Sequence, residues 1–146
     1  MRGHHIRRAW KGGGGWALVL LMASAAMADA SCPPLVCRCS SADTADCSGS
    51  GLTVLPAGLS TGVRSLDLSA NRLADINVTE LLVSLPALES LDLSNNGLSG
   101  FGAGMVTINH GLRHLSLSGN NITSVKRGLK LRGLATLQSL DLSGNR

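Results

Sequence analysis

From Val63 to Leu73 the chain reads Val-Arg-Ser-Leu-Asp-Leu-Ser-Ala-Asn-Arg-Leu, and the pattern returns at Leu88 to Leu98, Leu112 to Ile122 and Leu137 to Arg146. The starts lie 25, 24 and 25 residues apart, with apolar residues at positions 1, 4, 6 and 11 and Asn at position 9; the last copy ends before position 11. Leu66 and Leu68, Leu91 and Leu93, Leu115 and Leu117, and Leu140 and Leu142 alternate with Asp67, Asp92, Ser116 and Asp141. A period of two makes a short strand with one face inward. One unit cannot bury its own leucines, so consecutive units must stack around a shared core.

A period in the twenties that carries L-x-x-L-x-L-x-x-N-x-L is the signature of stacked leucine-rich units, and residues 63–146 resemble the leucine-rich repeat family. The expected fold is α/β: a leucine-rich repeat solenoid with short parallel strands on its concave face and an irregular or short-helical convex side. After each strand the backbone turns sharply and leaves peptide groups inside that need partners. Asn71, Asn96, Asn120 and Asn145 are expected to supply them as a structural ladder, because an amide side chain carries two N–H donors and an acceptor oxygen. With no Tyr and one Phe among 146 residues, leucine has to do the packing.

The N-terminal segment reads as an export signal. Arg2, Arg7, Arg8 and Lys11 precede an apolar run from Trp16 to Met27 and a small-x-small site at Ala28-Asp29-Ala30, so residues 1–30 are expected to be removed and Ser31 to begin the mature chain. The run falls short of the roughly 20 residues that a spanning helix needs. The formal charge of +4 belongs mostly to this segment: residues 1–30 hold four basic residues and Asp29, which leaves nine basic against eight acidic. A nucleic-acid partner is not expected, since its recognition wants a basic stripe with stacking aromatics.

All four cysteines, Cys32, Cys37, Cys39 and Cys47, lie within one short stretch. In an exported chain they read as two disulfides with three possible connectivities. Four thiolates also suit zinc, which an oxidising compartment disfavours. Together with Gly51-Leu52-Thr53-Val54-Leu55-Pro56-Ala57-Gly58-Leu59, this spacing resembles the cysteine-rich N-terminal cap of extracellular leucine-rich repeat proteins, here residues 31–62. The resemblance implies the pairs Cys32–Cys39 and Cys37–Cys47. A cap of this kind shields the open apolar end of the first coil.

Between the strands, Thr79 to Leu85 are expected to form a short helix that Pro86 stops, whereas Gly97, Gly100, Gly102 and Gly104 predict an irregular return in the next unit. Asn77-Val-Thr79 and Asn121-Ile-Thr123 are sequons, so Asn77 and Asn121 are the expected glycosylation positions of an exported chain. Catalytic signals are thin. His110 and His114 have no carboxylate at metal-ligand spacing, and Ser69, Ser94, Ser118 and Ser143 recur with the repeat without a paired base. No enzyme activity, metal or cofactor is expected.

The outward strand positions should form one concave face: Arg64, Ser65, Asp67, Glu89, Ser90, Asp92, Arg113, His114, Ser116, Gln138, Ser139 and Asp141. Charges of both signs suit a protein surface better than a small apolar ligand. The resemblance implies a non-enzymatic extracellular protein-binding module of a cell-surface receptor, adhesion or signalling-modulator protein; the alternative is a secreted matrix protein that binds collagen or glycosaminoglycan. Lys126, Arg127, Lys130 and Arg132 form a basic cluster that reads as a solvated convex face or as a contact for heparan sulfate. The final unit breaks off in mid-repeat at Arg146, which predicts further repeats, with any membrane anchor beyond them.

Overall fold

The structure is a computed structural model that describes residues 36–100, 111–123 and 136–146. Six short strands form one sheet in chain order: β1 (Arg38–Ser41), β2 (Thr44–Asp46), β3 (Ser65–Asp67), β4 (Ser90–Asp92), β5 (His114–Ser116) and β6 (Ser139–Asp141). The first pair is antiparallel; from β2 onward every pairing is parallel. The result is a solenoid. Leu66, Leu91, Leu115 and Leu140 stand in register, because each strand meets the next at the same repeat position.

The ladder outlasts the three-residue strands. Leu68 N–H donates to Asp92 O at 2.8 Å and Ala70 N–H to Ser94 O at 2.9 Å, and the same two bonds recur one unit on from Leu93 and Asn95, and again from Leu117 and Gly119. At the start of each strand one carbonyl accepts from two successive N–H groups: Arg64 O serves Glu89 and Ser90, and Glu89 O serves Arg113 and His114. The chain then turns through a left-handed residue at position 8, with φ of 54° at Ala70, 54° at Asn95, 64° at Gly119 and 65° at Gly144. Left-handed backbone costs a residue that carries a Cβ, and Asn is one of the few that visits it routinely.

Leu66, Leu68, Leu73, Leu88, Leu91, Leu93, Leu112, Leu115 and Leu117 are buried, each at 2 % exposure or less. Burying one such side chain is worth about 1.5–3 kcal/mol. Between β3 and β4 runs α1 (Val78–Ser84), a position upstream at each end of the expected span. It places Val78, Leu81 and Leu82 on the core. Asn77 caps its start by accepting from Glu80 N–H at 3.3 Å, and the turn closes at Leu85, immediately before Pro86. The glycine-rich return expected after Leu98 falls largely on residues 101–110, outside the described residues.

A degenerate repeat lies inside the cysteine-rich segment. Ala45 pairs with Leu66 and Asp46 with Asp67, then Cys47 N–H donates to Asp67 O and Gly49 N–H to Ser69 O. Gly49 holds the left-handed position at φ 58°. Cys47 therefore occupies the place of a repeat leucine and is fully buried. A disulfide joins it to Cys37, with the two Cα atoms 4.2 Å apart across the open end of the β1–β2 hairpin. Cys39 is also disulfide-bonded, and Cys32, its expected partner, lies outside the described residues.

Candidate functional site

The parallel stack turns each outward repeat position into a column across the sheet. Position 2 carries Arg64, Glu89, Arg113 and Gln138. Arg64 Nη1 lies 2.5 Å from Glu89 Oε1, and Arg113 Nε lies 3.8 Å from Glu89 Oε2, so one carboxylate sits between two guanidinium groups. The two arginine side chains are more than half exposed and Glu89 about a third, and solvent screening limits each pair to about 0.2–1 kcal/mol. Position 3 carries Ser65, Ser90, His114 and Ser139. His114 is exposed and stands in register between Ser90 and Ser139.

Position 5, also on the outward face, carries a local bond as well. Asp67 Oδ1 accepts from Ser69 N–H at 2.8 Å, Asp92 Oδ1 from Ser94 N–H at 2.8 Å and Asp141 Oδ1 from Ser143 N–H at 2.9 Å. Asp46 does the same for Ser48 at 2.9 Å. Each carboxylate closes the turn that follows its own strand, a local bond that short acidic side chains make readily. The hydrogen bonds leave their mark on the acidities. Asp46 is held below the usual carboxylate range first by the Ser48 hydroxyl, and Asp141 first by the Ser143 backbone N–H. In the third unit Ser116 takes the position, and its hydroxyl lies 3.3 Å from that of Ser118. The spacing D-x-S, repeated at Asp46, Asp67, Asp92 and Asp141, was the available signal for this role.

Behind this face the four asparagines form a ladder. Asn96 Nδ2 donates to Leu68 O in the preceding unit at 2.9 Å and to Leu93 O and Ser94 O in its own, while its Oδ1 accepts from Leu73 N–H. Asn71 makes the corresponding set with Cys47, Leu68, Ser69 and Leu52. Asn120 reaches back to Leu93 O and accepts from Asn96 and Leu98 N–H. Asn145 donates to Leu117 O and accepts from Ile122 N–H.

Of the sequon asparagines, Asn77 is exposed at the head of α1, whereas Asn121 is half-buried beside the ladder and donates its backbone N–H to Leu98 O. His110, Lys126, Arg127, Lys130 and Arg132 lie outside the described residues. Among the described residues no group of three or more His, Cys, Asp or Glu side chains is arranged to hold a metal ion. Nor is any helix among them long and apolar enough to cross a membrane.

The chain matches a family model described as "Leucine rich repeat" over residues 61–122 and 86–146. It is 38 % identical over 89 residues to leucine-rich repeat-containing G-protein coupled receptor 4 of Bos taurus, a match that covers 56 % of this chain and 9 % of that protein. Leucine-rich repeats and immunoglobulin-like domains protein 1 of Homo sapiens is 36 % identical over 85 residues, with 58 % of this chain and 8 % of that protein covered. The oligodendrocyte-myelin glycoprotein of Mus musculus is 39 % identical over 71 residues, covering 48 % and 16 %. The chain thus spans less than a fifth of the length of these relatives. Among solved structures, that of human 5T4 (Wnt-activated inhibitory factor 1, trophoblast glycoprotein) superposes with a TM-score of 0.62 at 27 % identity, over 77 % of this chain and 54 % of that one.

Proposed function

Because the chain belongs to the leucine-rich repeat family, we propose that it is a non-enzymatic, extracellular protein-binding module, the part of a cell-surface receptor, adhesion or signalling-modulator protein that holds the ligand. The observation that carries this reading is the outward face of the sheet. Arg64, Glu89, Arg113 and His114 stand side by side at its rim, presenting both charge signs on a rigid, in-register frame. Such a surface complements a folded protein patch, where mixed charges set register and partner choice. The relatives' names, which describe a receptor and a glycoprotein, agree with a cell-surface setting.

The test is a binding screen of the secreted chain against an array of cell-surface and secreted ectodomains. A variant that carries Arg64→Glu, Glu89→Lys and His114→Ala should lose at least tenfold in affinity for any ectodomain captured. Val83→Ser, on the exposed side of α1, should leave binding unchanged. The opposite pattern would move the ligand site to the convex side. The same preparation tests export: secreted protein should begin at Ser31.

A further inference from the structure

A second surface lies between the cysteine-rich segment and α1. There Thr53, Val54 and Leu55 face Ile76, Asn77 and Glu80 across a cleft of about 340 Å3. That volume falls within the roughly 300–1,000 Å3 of small-molecule sites. Val54 is 68 % exposed, the most open large apolar side chain among the described residues. One wall of the cleft beside it carries an attachment point.

Asn77 is that point. Its Oδ1 caps α1 through Glu80 N–H, so Nδ2 is directed away from the helix, and the residue is exposed. Asn77-Val-Thr79 is a sequon without proline. We infer that Asn77 carries an N-linked glycan whose first sugar seats in this cleft against Val54. In the reaction Nδ2 bonds to the anomeric carbon of an oligosaccharide carried on a lipid pyrophosphate. The carbon–oxygen bond to that pyrophosphate breaks with its electron pair, one amide proton is released, and no redox change occurs. The amide oxygen is untouched and continues to accept from Glu80 N–H, so cap and modification coexist. An N-acetylated sugar offers a methyl group and an apolar ring face for Val54, and hydroxyls that the Glu80 carboxylate accepts. The glycan would then lie on the convex side and leave the concave face open.

The inference rests on the export reading, and the experiment separates the two. The full chain is expressed in cultured mammalian cells, and the peptide that contains Asn77 is weighed before and after enzymatic deglycosylation. Secreted protein with hexosamine mass on Asn77 is expected. Secreted protein with Asn77 bare overturns the site alone; protein retained unmodified in the cytosol overturns the export reading and the site with it.

The seating has its own readout. Asn77→Asp removes the sequon while keeping a good helix cap, and Thr79→Ala removes it by a second route. Both should melt roughly 2–5 °C below the glycosylated chain. Val54→Ser should lower the midpoint of the glycosylated chain and leave that of Asn77→Asp unchanged. Equal shifts in the two backgrounds would show that the sugar does not contact Val54.

Discussion

Asn96 shows how one side chain can hold two coils. Its amide serves carbonyls on both sides of the unit boundary and accepts from Leu73 N–H in the buried interior. Replacing it with Ala would strand that N–H without water and take one donor from each of three carbonyls that keep another, Leu68 O from Asn71, Leu93 O from Asn120 and Ser94 O from Ala70, at a cost of about 1–3 kcal/mol. Asn145 makes a similar set but is only partly buried, so solvent can take over its partners. We expect the chemical-denaturation midpoint to fall clearly for Asn96→Ala and by less than half as much for Asn145→Ala; equal losses would mean that burial does not set the cost. The aspartates one layer out look like binding residues from the alternation alone. What the alternation leaves out is the turn two residues later, whose N–H reaches the carboxylate first.

At the level of the strand and its turn, this local bond ties stability to pH. Asp46 and Asp141 have folded acidities below the ordinary value of 3.8, so they bind protons more weakly when folded. Their contribution is present above that value and is lost as the pH falls through the lower folded one. Melting midpoints should therefore drop as the pH falls below about 4. The drop should shrink when both residues become Asn, which accepts the same N–H but does not titrate. The repeating strands were legible because leucine at positions 4 and 6 leaves a strong period, and α1 because Pro86 ends it. The strand β2 was not. Ala45, Cys47 and Ser50 stand where Leu, Leu and Asn would have revealed it, and the disulfide to Cys37 contributes the anchoring that a leucine supplies elsewhere. The cysteine-rich segment is thus continuous with the sheet rather than a lid laid over it.

Across the whole molecule, order is imposed on units whose cores are nearly identical. Any of the leucine layers would stack on any other; the rim column of Arg64, Glu89 and Arg113 would not, because like charges directly opposite on neighbouring strands repel. Glu89→Arg should cost about 0.5–1 kcal/mol in dilute buffer. Added salt should recover most of it, the arginine side chains being exposed. A loss that salt does not touch would assign Glu89 a packing role instead. The alternation bears on descent as well as on folding. Near-copies in one gene invite unequal recombination, and an event that removed the unit beginning at Leu88 would keep the leucine period of the remaining units in step yet set Arg64 beside Arg113. The charged column thereby marks that one unit: its loss would leave the leucine period in step and would register only as a repulsion at the rim.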